Sequence, residues 1–453
     1  MNQTKSNFSY AFAMLVILFF MWGFLTSLND ILVPHLKAAF SLKHWQAQLI
    51  QFFFFGAYFV MSVPAGMIIK KVGYKKGIIL ALALMGLGAL LFYPASIVKV
   101  YGVFLLALFI LASGITILQV AANPYVAVLG PKETAASRLN LAQGFNSVGH
   151  TIAPLFGAWL ILQNVEVVSV ETVQMPYIGL AVTLFLLSGL FNFLNLPEIT
   201  YSEDSPKGDF SIANYPHLIL GAIAIFCYVG AEIAIGSFLV EYFKLEKVLG
   251  LEPKTAGNYV ALYWGGAMVG RFIGAVSLSD MKNQNRKALI MAAFPIIAFI
   301  IVYLIVKAQG MSGGFAFNFL IIMVLNYLAF FLGKSMPDRL LAVFAGANIL
   351  LLIVTMSTSG QLALWSVLGI GLFNSIMWSN IFTLAIEDMG EHTSYGSSFL
   401  VMMIVGGAII PVVQGLVADI PAIGVEYCFF VPALAYAYLV FYGVKGHRLK
   451  GSA

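Results

Sequence analysis

Charge is what this sequence has least of. Asp, Glu, Lys and Arg make up only 9% of its 453 residues, whereas a soluble domain carries roughly a quarter. The hydrophobic share is 61% and the mean hydropathy is +0.93. Because about 20 apolar residues cross one hydrocarbon layer, the chain has room for many membrane spans but for no sizeable soluble domain. The composition predicts an all-α, polytopic membrane protein.

Other absences narrow the function. The two cysteines, Cys227 and Cys428, lie in separate apolar runs, and their spacing indicates neither a disulfide nor a metal site. The sequence has no phosphate-binding loop, no His-rich metal spacing and no nucleophile elbow, so we expect no ATP-driven step, no enzyme activity and no organic cofactor. The net charge of +5 is not gathered in a soluble basic patch, which argues against a nucleic-acid partner.

Apolar runs predict 14 membrane spans on the two sides of one polar segment, 197–216. Six runs precede this segment, at about 10–33, 46–69, 77–96, 100–128, 138–162 and 175–196. Eight runs follow it, at about 217–243, 255–278, 287–307, 315–333, 338–357, 362–386, 395–418 and 425–444. Each run reaches the minimum of about 17 residues for a transmembrane helix.

The polar segment predicts a cytoplasmic linker that divides the chain into two bundles. The N-terminal bundle would cover 1–196 and the C-terminal bundle 217–450. If the N-terminus starts in the cytoplasm, about twice as many Lys and Arg residues fall inside as outside. This bias predicts that both termini are cytoplasmic. The first run has neither a preceding basic stretch nor a cleavage site, so we expect a retained helix.

Internal repetition explains why the second half has two extra runs. The motif Val-Gly-x-x-Ile-x-Pro at 148–154 recurs at 405–411, an offset of 257 residues that also carries Asn123 onto Asn380. Weak repeats of this kind are expected in transporters built by duplication. The duplicated unit would be a bundle of six helices.

The first helices of the two halves have a shorter offset. Asp30 and Glu232, the acids well inside apolar spans, lie 202 residues apart, and subtracting 202 from 257 leaves 55 additional residues. The segment at about 279–335 has that length and contains two runs. We predict a helical hairpin inserted into the second of two six-helix bundles, which gives 14 spans in all.

The inserted hairpin makes a topological prediction. It would leave and rejoin the cytoplasmic side, so its tip at Gly310 should lie outside the cell. A cysteine placed at position 310 should therefore react with an impermeant thiol reagent added to intact cells. Labelling only after the cytoplasmic side is opened would contradict the hairpin.

Two buried carboxylates are the first candidates for function. A charged side chain at mid-membrane costs about 2.5 to 3.5 kcal/mol on insertion scales, so it is rarely retained without a task. Asp30 and Glu232 would bind or exchange a cation, or accept hydrogen bonds from a polar substrate. The alternative is a structural acid held by Arg138 or Arg271.

Amides and tryptophans surround these acids in the sequence. The amides inside apolar runs are Asn29, Gln51, Gln119, Asn123, Asn140, Gln143, Asn146, Asn374, Asn380 and Gln414. Amides both donate and accept hydrogen bonds, which suits the hydroxyl groups of a sugar or polyol. The alternative is interhelical hydrogen bonding, worth about 0.6 kcal/mol per bond. The three amides of 140–146 are spaced i, i+3, i+6 and are predicted to share one helix face.

Three tryptophans lie within spans rather than at the interfaces, namely Trp22, Trp264 and Trp378. A ring face of this kind can pack against the apolar face of a sugar, and ordinary core packing is the alternative.

Four strings resemble a known family. Residues 29–34 (NDILVP), 119–131 (QVAANPYVAVLGP), 138–143 (RLNLAQ) and 395–399 (YGSSF) resemble the fucose permease family of the major facilitator superfamily, and in particular its glucose/galactose transporter branch. The resemblance covers nearly the whole chain outside the hairpin. It implies a major facilitator fold and an alternating-access transporter that couples sugar uptake to a cation gradient.

The resemblance also implies roles for single residues. Asp30 matches the family's coupling acid of the first helix, Trp22 and Asn146 match positions associated with sugar binding, and Gln143 lies on the same polar face. Two departures stand out. Gln119 stands where the fucose–proton symporters carry a second acid, and 378–380 (WSN) replaces a more usual aromatic-Pro-Thr stretch.

These observations together predict a symporter for a hexose such as glucose or galactose. For the coupling ion, oxygens of Asn29, Asp30, Gln119 and Asn123 would form a sodium site, since hard cations prefer oxygen ligands. A proton is the alternative ion. The sugar would contact Trp22, Asn140, Gln143, Asn146, Glu232, Trp264, Asn374, Trp378 and Asn380.

The predicted partners are thus a sugar, a coupling cation and the lipid bilayer, and the predicted state is a monomer in the inner membrane of a bacterium. The alternatives are a proton-coupled, fucose-like sugar permease and a facilitator that exports a different small solute.

Overall fold

The protein is built from α-helices. The computed structural model describes residues 2–42, 44–160, 169–194, 196–197, 210–308 and 314–449, and no strand occurs among them. Helices are expected in a membrane, because no water is present in the hydrocarbon to bond the backbone. A backbone there must satisfy its N–H and C=O groups within its own segment or in a closed barrel. The predicted all-helical fold class is confirmed.

Six helices lie in the first part of the chain, namely α1 (Asn2–Ala39), α2 (His44–Leu90), α3 (Phe92–Val98), α4 (Tyr101–Val128), α5 (Ala135–Leu160) and α6 (Gln174–Phe193). The second part begins with α7 (Pro216–Lys244), α8 (Pro253–Ser277), α9 (Gln284–Ala308), α10 (Gly314–Leu332), α11 (Pro337–Ser357) and α12 (Gly360–Asn374). It ends with α13 (Met377–Ala385), α14 (Thr393–Met402), α15 (Gly406–Ala418), α16 (Gly424–Tyr427) and α17 (Phe430–Val444).

The helices match the predicted spans. Within the described residues, 11 segments are long and apolar enough to cross a membrane. One of them, Leu49–Val98, has 50 residues and is long enough for two spans. The shorter apolar segment Ala316–Leu332 and helix α5 supply the remaining two. The count of 14 helical spans agrees with the sequence prediction.

The connection between the second and third spans differs from the expected loop. Helix α2 runs through both spans without a break in its assignment, and only Gly73 leaves the helical conformation, with φ 80° and ψ 167°. A positive φ of this size favours glycine, because a Cβ would collide with the backbone. Gly73 therefore turns the chain within one residue.

The described chain divides into two compact units. The first unit consists of Met1–Gly130, Val148–Phe210 and Asp388–Val405. Its central helix is α2, which packs against α4, α6 and α14. The predicted division of the chain at 197–216 stays a prediction.

The second unit consists of Pro131–Ser147, Ser211–Glu387 and Gly406–Ala453. Helix α7 packs against α13, α15 and α17, while α12 packs against α8, α10 and α11.

The predicted hairpin, α9 and α10, is part of the second unit. Tyr327 of α10 donates from its hydroxyl to the main-chain oxygen of Ala288 in α9, at 3.2 Å. The ring of Phe330 lies 4.8 Å from that of Phe344 in α11. The hairpin is therefore packed against the helices that follow it. Its proposed tip, Gly310, lies outside the described residues.

The hairpin also completes the end of α12. The side-chain amide of Asn326 in α10 donates to the main-chain oxygen of Leu372 at 3.3 Å. Leu372 lies in the last turn of α12, where carbonyl groups lose their partners within the helix. Ser375, just beyond the helix, donates its N–H to the same oxygen at 3.3 Å. The hairpin thus adds a second hydrogen bond to the oxygen of Leu372, a backbone group of one of the helices outside the hairpin.

Close packing of α8 and α12 depends on Gly371. A Cβ built there would overlap the main-chain oxygen of Tyr263 in α8, which is backbone and cannot turn away. Small residues allow such close approach between helices in membranes. We expect Gly371→Ala to destabilise the protein by about 1 to 3 kcal/mol, which is typical of overpacking. Thermal unfolding in detergent measures this.

A matched control lies in α8 itself. A Cβ at Gly265 has nothing within 4 Å. Gly265→Ala should leave the melting temperature near that of the unaltered chain. Equal melting temperatures for the two variants would show that close packing of α8 against α12 does not determine the stability of the protein.

Candidate functional site

Arg271 lies at the centre of the polar site in the second unit. It occupies the apolar helix α8. Its Nε donates to the main-chain oxygen of Ser375 at 3.3 Å, and Nη1 donates to the main-chain oxygen of Gln143 at 3.5 Å and to Oγ of Ser147. The planar guanidinium suits several acceptors at once. Arg271 therefore joins α8 to α5 and to the residue that follows α12.

Glu232 of α7 is the buried acid of this site, with 8% of its surface exposed. Its Oε1 accepts a hydrogen bond from the hydroxyl of Tyr228 one turn earlier, at 2.9 Å. Arg271 interacts electrostatically with both side chains. Within the described residues Arg271 does not come within 4.0 Å of the carboxylate, so the compensation passes through space and through Tyr228 rather than through a direct ion pair.

One oxygen of Glu232 is available to a ligand. Among the described residues, Tyr228 supplies the one hydrogen bond to the carboxylate, and it goes to Oε1. An ionised carboxylate has about four acceptor positions. Its second oxygen, Oε2, accepts no hydrogen bond from any residue that the structure describes, and it is an acceptor of the kind that a hydroxyl group fits.

Asn374 is at the centre of an interhelical network. Its Nδ2 donates to the hydroxyl of Tyr263 at 2.9 Å, and its Oδ1 accepts from Tyr436 at 2.7 Å and from Nδ2 of Asn348 at 2.9 Å. Tyr263 in turn donates to the main-chain oxygen of Glu232 at 3.0 Å. These bonds link α7, α8, α11, α12 and α17. The contacts of Asn374 fit the alternative of interhelical bonding, and they hold Glu232 in place.

A helix break lies next to this network. Helix α12 ends at Asn374 and α13 begins at Met377, inside a segment whose side chains are almost all buried. Such discontinuous helices form the binding sites of many transporters. The polar side chains at the break, Asn374, Ser375 and Ser379, are all buried.

Several buried polar atoms around the break have no hydrogen-bond partner within the described residues, namely Asn140 Oδ1, Ser375 Oγ, Trp378 Nε1 and Ser379 Oγ. Buried polar groups are nearly always bonded, so each exception calls for a water or a ligand. The group combines donors and acceptors, as a polyhydroxyl ligand requires.

Asn140 and Asn380, both predicted to contact substrate, are brought together by the fold. Nδ2 of Asn140 donates to Oδ1 of Asn380 at 3.4 Å and to the main-chain oxygen of Ala136 at 2.9 Å. Asn380 donates to the main-chain oxygen of Pro337 at 3.1 Å. All three amides of the α5 face, at 140, 143 and 146, are buried.

The first unit contains part of the predicted cation site. Gln119 and Asn123 lie one turn apart on α4, and Nδ2 of Asn123 donates to the main-chain oxygen of Gln119 at 3.0 Å. Nε2 of Gln119 donates to the hydroxyl of Tyr58 in α2, also at 3.0 Å. The side chains of Asn29 and Asp30 lie outside the described residues, so the predicted site is described only in its α4 half.

The three tryptophans have different surroundings. Trp22 is buried, and its ring lies 4.3 Å from that of Phe19. Trp378 is also buried, beside the helix break. Trp264 is 42% exposed, and one edge of its indole lies over Gly236 of α7. The exposed ring surface leaves room for contact with lipid or a ligand.

Sequence reasoning missed part of this site. Tyr228 has a detectable signal, because it precedes Glu232 by four residues and so shares its helix face. Asn348 and Tyr436 have no such signal in the sequence. They lie in α11 and α17, and only the packing of these helices brings them to Asn374. The sequence offers Arg271 as a partner for an acid, and its bonds to α5 are found only in the structure.

Membrane-spanning helices with a buried acid, a half-buried cation, amides and a broken helix define a polytopic membrane transporter. The chain belongs to the Major Facilitator Superfamily, whose family model matches residues 11–309. It is therefore a transporter and not an enzyme.

Similar proteins support this assignment. The chain is 45% identical to the glucose/galactose transporter of Brucella abortus (strain 2308), over 99% of this chain and 96% of that protein. It is 35% identical to the L-fucose-proton symporter of Escherichia coli (strain K12), over 96% of this chain and 92% of the relative. The crystal structure of the transporter FucP in the outward conformation matches with a TM-score of 0.78 at 32% identity, covering 99% of this chain and 100% of that one.

Proposed function

We propose that the protein is a secondary active transporter that imports a hexose such as glucose or galactose together with a cation. The observation that carries the proposal is the open carboxylate oxygen of Glu232 among buried amides and unpartnered hydroxyl and indole groups. Sugar hydroxyls both donate and accept hydrogen bonds, and these groups match both roles. The name of the Brucella abortus relative supports the choice of substrate.

The sugar-binding residues of this proposal are Trp22, Asn140, Gln143, Asn146, Glu232, Trp264, Trp378 and Asn380. Amides and the carboxylate would bond the hydroxyl groups, while the indoles would pack against the apolar face of the ring. Asn374 has a supporting role in the proposal, since its amide is already bonded to three side chains. Alternating access of the two predicted bundles would move the sugar across the membrane.

Sodium is the coupling ion that we propose, with Asp30 as the charged ligand. Asn29, Gln119 and Asn123 would add neutral oxygens, which suit a hard cation. Gln119 supports sodium because a neutral amide cannot release or take up a proton. We further propose a monomer in a bacterial inner membrane, with both termini and the 197–216 linker on the cytoplasmic side.

Counterflow in proteoliposomes tests the substrate and the ion together. Vesicles loaded with unlabelled hexose should take up labelled glucose or galactose transiently, and an inward sodium gradient should drive accumulation without a pH gradient. Equal accumulation from a proton gradient in sodium-free buffer would reverse the choice of ion. Absence of counterflow with every hexose would contradict the substrate.

A proton-coupled permease for a fucose-like sugar is the second candidate. The relative from Escherichia coli, named an L-fucose-proton symporter, favours it. Fucose lacks the hydroxyl group at C6 that glucose and galactose carry. A site that binds this hydroxyl would therefore discriminate against fucose. Adding fucose to the hexose panel decides between the candidates.

A further inference from the structure

We propose that the base of the inserted hairpin and the start of α11 together form a binding site for the headgroup of an anionic phospholipid. The site, which we name the basic end, consists of four cations. Lys282 precedes α9 and Arg286 lies in its first turn, while Lys334 precedes α11 and Arg339 lies in its first turn. All four side chains are exposed. This inference does not depend on the transported solute.

Lys287 connects the loop before α9 to the loop before α11 through hydrogen bonds. It is buried, and its Nζ donates to the main-chain oxygen of Ser279 and to Oγ of Ser335, both at 3.1 Å. Ser279 belongs to the loop before α9, and Ser335 to the loop before α11. The four exposed cations are therefore held on neighbouring loops rather than on independent ones.

Few acids oppose these cations. Asp280 is exposed in the first loop. Asp338 is buried, and its Oδ2 lies 3.3 Å from Nη2 of Arg448 and 3.5 Å from Nε2 of His447. The carboxylate of Asp338 is thus already engaged by the C-terminal segment. The basic end retains an excess of positive charge.

Two long helices begin at the same surface. Helix α9 starts at Gln284 and α11 at Pro337. The first N–H groups of a helix have no partner within it, and the helix dipole adds partial positive charge there. In α9 the N–H of Arg286 already donates to Oδ1 of Asn283 at 2.9 Å, and the first turn of α11 contains Asp338, so what these ends add to the four side chains is the partial charge of the helix dipoles.

Exposed apolar side chains adjoin the cations. Leu289 is 73% exposed one turn after Arg286, and Leu332 is 70% exposed two residues before Lys334. Met336 is exposed between Lys334 and Arg339. A ligand that meets both surfaces must join an anionic head to apolar chains. A phospholipid has this chemistry, and basic surfaces beside membrane helices bind anionic headgroups.

Native mass spectrometry of the full chain tests the proposal. The protein would be purified with equal amounts of phosphatidylglycerol and phosphatidylcholine of the same acyl chains. We expect selective retention of phosphatidylglycerol, and a drop of about tenfold or more in the variant K282Q/R286Q/K334Q/R339Q, since each cation near the surface contributes. The half variants K282Q/R286Q and K334Q/R339Q should each show an intermediate loss.

The variant K70Q/K71Q/K75Q/K76Q is the matched control, because it removes four positive charges from the connection between the second and third spans, which lies on the same predicted side. It should retain phosphatidylglycerol like the unaltered chain. Equal losses in the two fourfold variants, or no loss in the hairpin variant, would overturn the proposal. Displacement of the lipid by inorganic phosphate or glycerol phosphate at matched concentration would assign the site to free phosphate and would also overturn it.

Discussion

We expect Asp30→Asn to abolish gradient-driven sugar accumulation and to leave exchange of sugar across the membrane. Asparagine has nearly the size of aspartate but carries no charge, so it neither neutralises a sodium ion nor carries a proton. The proposed sugar site keeps its own residues, so labelled sugar should still equilibrate. Uptake into proteoliposomes under an imposed cation gradient, beside counterflow without one, measures the two activities separately.

Asp419→Asn is the control for this experiment, because Asp419 is exposed at the end of α15 and lies outside the predicted spans. It should accumulate sugar like the unaltered chain. Full accumulation by Asp30→Asn would remove Asp30 from the coupling step, whatever the identity of the cation. Loss of counterflow as well would move Asp30 from coupling to sugar binding.

Arg271→Gln should have the largest effect on stability. Arg271 is half-buried, but removing it leaves the buried carboxylate of Glu232 without a compensating charge, and an uncompensated buried charge costs about 3 to 5 kcal/mol. Because Arg271 and Glu232 are not in direct contact, we expect about 3 kcal/mol, with sugar uptake lost as well. The melting temperature in detergent should fall by several degrees.

The double variant Glu232→Gln with Arg271→Gln separates charge compensation from simple loss of packing. It should recover much of the stability that Arg271→Gln loses, because no uncompensated carboxylate remains. It should not recover transport, since both the open acceptor and the guanidinium bonds to α5 are gone. Strictly additive losses in the double-mutant cycle would mean that the two charges do not interact.

Arg286→Gln serves as the reference for a charge change at an exposed site, where effects are usually within about 0.5 kcal/mol. Arg286 is exposed in the first turn of α9. A fall in melting temperature as large as that of Arg271→Gln would show that the method reports charge rather than burial.

The hairpin was predictable because it follows from counting. The two repeat offsets differ by 55 residues, and span length in a membrane has a narrow range, so little besides two helices fits that insertion. The repeat offsets and span lengths do not predict which helices the hairpin packs against. The bond from the side-chain amide of Asn326 to the main-chain oxygen of Leu372 joins residues 46 positions apart in different helices.

The candidate site was predictable in its residue types and less so in their partners. Hydropathy identifies Glu232 and Asn374 as polar groups in apolar spans, and the cost of burying them implies that each is bonded. Which atom each of them bonds is decided by helix packing. Asn374 meets three side chains from α8, α11 and α17, and no spacing along the chain specifies that arrangement.

The bond between Asn326 and the last turn of α12 couples the hairpin to any movement of that turn. Any displacement of that turn during a transport cycle must either carry α10 with it or break a buried hydrogen bond. The lipid-facing side of α10 includes Leu325, which is 54% exposed and adjacent to Asn326. A spectroscopic probe attached at position 325 would register movement of the helix break without altering any residue of the proposed sugar or cation sites.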